Sequence, residues 1–340
     1  MDPQIKTFYT DDVQQSLFAR YKLTAADLSL LDGFESFIYE FERDGKPYIL
    51  RVSHSQHRSP ELIQGETEWI YYLAKHGLNV ASPAPDLSGR LVETMETEDG
   101  IFSAVAFHKV PGSHASADDW NSTAMISQLG HLVGKMHALT QDFEPSDPEF
   151  ERYTWDEDIA DTLKMLKSSL PKEDAPLITY YTQMVQQAHT FSRGIDEYGL
   201  IHFDVHGGNF YVDDSKTIWL FDFDDCCYNW FANDIAMVFF YAAPLPCDTP
   251  EKIEIARQRF EAFLQAYQQE NAFDPAWLEQ IPVFLTLREI DLYAAVKRDI
   301  PESEYDGWCE RYMTNRRENL MARKPYIQLD FTKLNWKGSR

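Results

Sequence analysis

The polar chemistry of this chain is densest in one loop bracketed by apolar runs. His202, Asp204, His206, Gly207, Gly208 and Asn209 follow Leu200-Ile201 and precede Phe210-Tyr211-Val212, and Asp222, Asp224 and Asp225 close the run Thr217-Ile218-Trp219-Leu220-Phe221. Asp204 stands five positions before Asn209. A carboxylate on a stiff loop can orient an acceptor hydroxyl and take its proton, while an amide oxygen and a second carboxylate are hard oxygen ligands suited to Mg²⁺ on a triphosphate. These are parts that phosphoryl transfer uses, since that reaction rests on positioning and charge neutralisation. His202 then packs and hydrogen-bonds to hold the loop, His206 fills it, and Gly207-Gly208 lets backbone approach phosphates without side-chain collision. A second chemistry competes: His202, Asp204 and His206 alternate like the ligands of a metal-dependent hydrolase, with Asp222 and Asp224 nearby.

Two kinds of element must position this loop. Phe37 to Glu42 and Pro47 to Val52 are β-like runs around Arg43-Asp44-Gly45-Lys46, whose Asp-Gly step predicts a hairpin. Ser59-Pro60 starts and Gly77 ends a helix of about four turns, with an apolar stripe of Leu62, Ile63, Trp69, Ile70 and Leu73. At roughly 100° per residue Glu66 falls inside that stripe and Glu68 on the opposite face, so Glu66 calls for a buried cationic partner. Two further strand-like runs, Arg90 to Met95 and Ile101 to Phe107, lead into His108-Lys109-Val110-Pro111-Gly112, which reads as a linker. Beyond it, Met125, Ile126, Leu129, Leu132, Val133, Met136 and Leu139 keep helical spacing and open a mainly helical region. The expected architecture is α+β and bilobal: a small antiparallel sheet lobe over 1–107, a linker over 108–112 and a large helical lobe over 113–340, with the chemistry in the cleft between them.

The pattern HFDVHGGN followed by LFDFDD resembles the aminoglycoside phosphotransferase and choline kinase-like group of small-molecule kinases, which share the protein-kinase fold. The resemblance covers about residues 28 to 245 and implies an ATP-dependent phosphotransferase acting on a small-molecule hydroxyl. It carries the catalytic base to Asp204, metal ligation to Asn209 and Asp222, with Asp224 at the second acidic position, and a loop-bracing role to the helix beginning near Asp234. It also implies that backbone around Phe107, Lys109 and Val110 meets the adenine edge. Two positions depart from the family's pattern. Where a lysine normally holds the α- and β-phosphates, this chain has Arg51, which can bridge Glu66 bidentately. The nucleotide loop near Asp32-Gly33-Phe34-Glu35-Ser36-Phe37 has the single glycine Gly33, so Ser36 stands as the candidate phosphate contact. Those departures keep a catalytically silent nucleotide-binding protein in view, and Ser or Thr side chains of a protein are an alternative acceptor.

Composition narrows the classes further. The 340 residues carry 31 basic and 55 acidic side chains, a formal charge of −24, which disfavours nucleic acid and anionic membranes as partners. Hydrophobic residues at 44% suffice for a core, arguing against disorder. The longest apolar run, Ile235 to Ala243, is about half of the ~20 residues a membrane helix needs, and Met1-Asp2-Pro3 lacks a basic leader, so a soluble, cytoplasmic protein is expected. Cys226, Cys227, Cys247 and Cys309 have no CxxC spacing and are expected to be free thiols. Residues 1–112 have a net charge of −7 and residues 113–340 one of −17. If runs such as Asp156-Glu157-Asp158 face the cleft, a cationic acceptor is favoured. Arg288, Glu289, Asp291, Tyr293 and Trp308 are candidate acceptor-site residues.

Overall fold

A computed structural model describes residues 3–336 except 32, 34, 117, 118, 121 and 158, so Asp32 and Phe34 of the nucleotide loop and Asp158 of the acidic run lie outside the described residues. The hairpin forms as β2 (Phe37–Arg43) and β3 (Lys46–His54), with Arg43 opposite Lys46. Asp44 and Gly45 take φ of 53° and 71°, the paired left-handed conformation that suits a two-residue turn. The sheet runs β1 (Ser29–Leu31), β2, β3, β6 (Gly100–His108) and β4 (Pro83–Ala84), and β5 (Val92–Thr97) also pairs with β6. α3 (Pro60–Lys75) lies against one face, its start capped by the Ser59 hydroxyl, which accepts from Leu62 N at 3.3 Å. The other face is covered by an element that alternating strands do not announce: α1 (Pro3–Phe8) and α2 (Asp11–Ala19) bring Val13, Leu17 and Phe18 onto Tyr39, Leu50 and Phe102. Six and nine residues are too few for a helical period to stand out.

Past β6 the chain adds β7 (Ser113–His114) to β9 (Phe210–Val212), which pairs with β10 (Ile218–Leu220), while β8 (Tyr198–Ile201) pairs with β11 (Cys227–Trp230). These two short antiparallel sheets flank the polar loop. Around them pack α4 (Thr123–Thr140), α5 (Ile159–Ser169), α6 (Ala175–Ala188), α7 (Phe231–Ala242), α8 (Pro250–Glu270), α9 (Ile281–Asp299), α10 (Gly307–Met313) and α11 (Arg316–Met321). A continuous core joins Trp69 and Leu73 of α3, Phe107 of β6, Leu129 and Val133 of α4 and Phe239 of α7. The two lobes therefore share one hydrophobic seam beneath the cleft. Among the described residues no helix is long and apolar enough to cross a membrane, and all four cysteines are free.

Candidate active site

The loop after β8 is held by a buried carboxylate on α7. Asp234 accepts from the backbone N–H groups of His202 at 3.0 Å and Phe203 at 2.7 Å, and His137 of α4 bonds its Oδ2 at 3.1 Å while resting on the Tyr267 hydroxyl at 2.8 Å. Phe203 is pulled into φ 74°, a conformation a bulky side chain adopts only when its surroundings impose it. That bend presents Asp204. Its Oδ2 accepts from His206 Nε2 at 3.1 Å and Asn209 Nδ2 at 3.2 Å, and Asn209 Nδ2 also reaches the Asp204 carbonyl at 3.0 Å. His206 Nδ1 accepts from Gly208 N, so Nε2 carries the proton that points at Asp204. His206 is thus a direct partner of Asp204 and does more than fill the loop. Arg288 donates to Asp204 Oδ1 at 2.7 Å. Burial works to raise the Asp204 pKa, but Arg288 and His206 outweigh it and hold the carboxyl well below the ordinary carboxylate range.

His202 is fully buried; its Nδ1 accepts from Asp204 N at 3.3 Å and its Nε2 donates to the Phe221 carbonyl at 3.1 Å. It ties the loop to the segment after β10 that carries Asp222. The hydrolase arrangement fails on this geometry, since His202 turns both nitrogens to backbone and cannot share an ion with Asp204 and His206. Asp222 leaves β10 with φ 64°, exposed, and among the described residues its carboxylate has no hydrogen-bond or ion-pair partner. Asn209 spends its amide nitrogen on Asp204, which leaves the amide oxygen available. Asp224 has Oδ2 on His57 Nε2 at 2.7 Å and Oδ1 3.8 Å from Arg51, with no hydrogen bond to that buried oxygen. An orphaned buried carboxylate oxygen beside an unpartnered exposed one is a donor set that fits a hard divalent cation. His57 bridges further to Glu35 at 2.8 Å. Burial opposes its charge, but the bonds to Asp224 and Glu35 win and push its pKa up to about 9, so Glu35 is clamped to Asp224 through an imidazolium.

Arg51 and Glu66 meet as the inward carboxylate requires: Nη1 to Oε1 at 2.8 Å and Nη2 to Oε2 at 2.6 Å, both side chains buried. The Phe107 ring lies 5.3 Å from the Arg51 guanidinium. Lys109 pairs with Glu40 at 2.6 Å, and the N–H groups of His108 and Lys109 are spent on the Ser82 and Pro47 carbonyls. Ser36 is buried with its hydroxyl on Ser53 at 2.8 Å, turned to the sheet and not presented to a phosphate. A Cβ on Gly33 would fall 2.1 Å from the Ser36 carbonyl, so this loop folds tightly enough that only glycine fits. Nothing in the sequence pattern singles out Arg152. It is buried and donates to Leu62 O at 2.9 Å, Cys226 O at 2.8 Å and Asp224 O at 2.6 Å, stapling α3 to the acidic turn between β10 and β11.

A cavity of about 460 Å³ opens beside Asp204's loop, with Tyr153, Trp155, Tyr181 and Phe284 among its walls. Of the five candidate acceptor residues, Arg288 and Asp291 line it. Glu289 is committed to Arg316, Tyr293 to Asp174, and Trp308 stacks on Tyr312. The described part of the acidic run is not there either, because Asp156 pairs with Arg193 and Glu157 accepts from Thr154. The cavity's carboxylates are Glu35, Asp161, Asp225 and Asp291.

A sheet lobe with a buried cation–carboxylate pair, a helical lobe presenting Asp204, Asn209 and Asp222, and a cavity at their junction define a phosphotransferase of the kinase-like fold. The chain belongs to the phosphotransferase enzyme family, whose model matches residues 28–281. It is 33% identical over 333 residues to amicoumacin kinase of Bacillus subtilis (strain 168), covering 97% of each chain. Among solved structures it resembles amicoumacin kinase hAmiN in complex with AMP-PNP, Ca²⁺ and Ami, with a TM-score of 0.88, 31% identity and coverage of 98% of this chain and 100% of that one. A microcompartment-associated aminopropanol kinase shares the fold at a TM-score of 0.73 and 23% identity, over 96% and 100% of the two chains. Family membership sets aside both the hydrolase and the silent nucleotide-binding readings.

Proposed function

We propose that this protein transfers the γ-phosphoryl group of ATP to a hydroxyl of a small cationic molecule, and amicoumacin, which its relatives are named for, is the first acceptor to test. The observation that carries the reading is Asp204, whose loop is fixed by Asp234 beneath it and by His206 and Asn209 at its side, next to a cavity lined by its neighbour Phe203 and its partner Arg288, with a volume that suits a small molecule better than a protein surface. Four carboxylates, Glu35, Asp161, Asp225 and Asp291, line that cavity beside His57, Arg58 and Arg288; Glu35 is spent on His57 and Asp225 on Arg58, which leaves Asp161 and Asp291 to favour an ammonium.

In this reading residues 1–107 hold the nucleotide, 108–112 join the lobes and 113–340 hold the acceptor. Arg51, steadied by Glu66, contacts the phosphates, and the adenine edge meets backbone between Phe107 and Val110. Asn209 Oδ1, Asp222 and Asp224 would hold Mg²⁺, which neutralises charge on the triphosphate. Asp204 accepts the hydrogen bond of the acceptor hydroxyl, aligning its oxygen with the γ-phosphorus. The new O–P bond forms as the bond to the bridging oxygen of ADP breaks, and the proton passes to Asp204. Because Arg288 and His206 keep Asp204 ionised, it is a weak base that orients first and takes the proton late, which a loose phosphoryl-transfer transition state tolerates. His202 contacts only the protein and acts by position. The test is mass spectrometry of amicoumacin, choline and aminopropanol incubated with enzyme and Mg²⁺–ATP: a gain of one phosphoryl group on a cationic acceptor is expected, and ATP binding with no transfer to any of them would overturn the acceptor class.

A further inference from the structure

Arg288 stands where the acceptor must go. It projects from α9 with its side chain 18% exposed, into the cavity wall. Nη2 bonds Asp204 Oδ1 at 2.7 Å and the Tyr241 hydroxyl at 2.5 Å, and Nε reaches the same hydroxyl at 3.2 Å. Tyr241 and Asp204 thereby fix the guanidinium plane. Nη1 is different: its nearest acidic neighbour is Asp291 Oδ2 at 3.8 Å, and among the described residues nothing accepts a hydrogen bond from it. A guanidinium has five donors in a rigid fork, and a fork half used on the catalytic loop with its other half in a ligand cavity is preorganised for a second oxygen.

We propose that Arg288 is a specificity-determining residue that binds a carbonyl-type oxygen of the acceptor, a carboxamide or a carboxylate, close to the hydroxyl that is phosphorylated. Nη2 is bonded to Asp204 Oδ1 and Nη1 is the neighbouring nitrogen of the same fork, so an acceptor whose hydroxyl rests on Asp204 can bring a nearby oxygen within reach of Nη1. A hydroxy amide or hydroxy acid presents such an oxygen; a plain amino alcohol does not. The inference deepens the phosphotransferase reading and rests on it. An acceptor with only an amine and a hydroxyl leaves Nη1 with Asp291 at 3.8 Å and no hydrogen-bond acceptor in a partly closed site, a cost that polar sites use to reject such analogues.

The experiment compares 3-amino-2-hydroxypropanamide, 3-amino-2-hydroxypropanoic acid and 1-amino-2-propanol, which share amine and hydroxyl and differ only at the adjoining carbon. kcat/KM is measured for wild type, R288Q and R288K, with melting temperatures and Mg²⁺–ATP affinity measured alongside. Wild type should favour the better of the two carbonyl compounds over aminopropanol by roughly tenfold to hundredfold, the worth of one hydrogen bond from a charged donor. The two carbonyl arms distinguish amide from acid. R288Q should bring that ratio close to one, chiefly through the KM of the carbonyl compound, and R288K, which keeps charge beside Asp204 without the fork, should restore part of it. A ratio unchanged in R288Q, with all acceptors slowed equally and the pH profile shifted, would show that Arg288 only positions Asp204 and would overturn the proposal. So would a wild-type ratio near one, or normal Mg²⁺–ATP binding with all three compounds inert. Loss of Mg²⁺–ATP binding in wild type would instead overturn the phosphotransferase reading, and this proposal with it.

Discussion

Removing the Glu66 carboxylate strands a buried guanidinium. Glu66 is 0% exposed and Arg51 8%, and their two hydrogen bonds of 2.8 and 2.6 Å are the main compensation for both charges. Asp224, 3.8 Å from Arg51 Nη1, remains to offset part of the loss, and it belongs to the other lobe. Breaking a buried pair by deleting one partner costs ~3–5 kcal/mol, so Glu66→Ala should lose about that much. For a chain of this size a kcal/mol corresponds to about 2 °C in melting temperature, so the fall should be roughly 6–10 °C. Replacing both partners by apolar residues in Arg51→Met/Glu66→Leu leaves no charge to strand and should recover most of the stability, while Mg²⁺–ATP affinity stays low because the phosphate contact is gone. Differential scanning calorimetry of Arg51→Met, Glu66→Leu and the pair forms a double-mutant cycle. A Glu66→Ala melting temperature within about 2 °C of wild type, or a double variant as unstable as the sum of its singles, would refute the coupling.

Other outcomes follow from the same geometry. Asp234→Asn puts an amide against the His202 and Phe203 N–H groups, so kcat should fall at least ~10-fold with melting lowered by several degrees, read by steady-state kinetics and calorimetry. Asp222→Ala should weaken Mg²⁺-dependent nucleotide binding as well as rate; an unchanged Mg²⁺ titration counts against its role. Burial pushes the Cys226 thiol up to about 12, so native protein at pH 8 should resist iodoacetamide at Cys226 and Cys227, as peptide mapping would show, and react there only on unfolding.

Local spacing made much of this molecule legible. The Asp-Gly hairpin, the Ser59 cap and Glu66 inside an apolar stripe are short-range signals, and each of these elements forms with the expected residues. The polar loop was legible because Asp204, Asn209 and Asp222 lie within nineteen positions of sequence. What could not be read depends on long-range packing: Arg288 was legible as an acceptor-site candidate but not as a partner of Asp204. Arg288 reaches Asp204 across 84 residues and Arg152 reaches Asp224 across 72, and neither contact has a periodicity to betray it. Ser36 turned to Ser53 for the same reason: its partner lies on a neighbouring strand, and nothing in the loop's own residues names it. Net charge misled about the cavity, since Asp156 pairs with Arg193 outside it while Asp161 and Asp291 come together only through the packing of α5 and α9.

The central claim is that Asp204 aligns and deprotonates the acceptor and does not hold nucleotide. Asp204→Asn keeps the shape of the loop, removes the negative charge facing Arg288 and His206, and leaves Asn209, Asp222 and Asp224 in place. The decisive measurement is kcat for phosphoryl transfer in this variant beside its Mg²⁺–ATP affinity. The account predicts a loss of ~10²- to 10⁴-fold in kcat with nucleotide affinity within about threefold of wild type. Near-normal turnover by the purified, folded variant, or a parallel collapse of ATP binding, would contradict it.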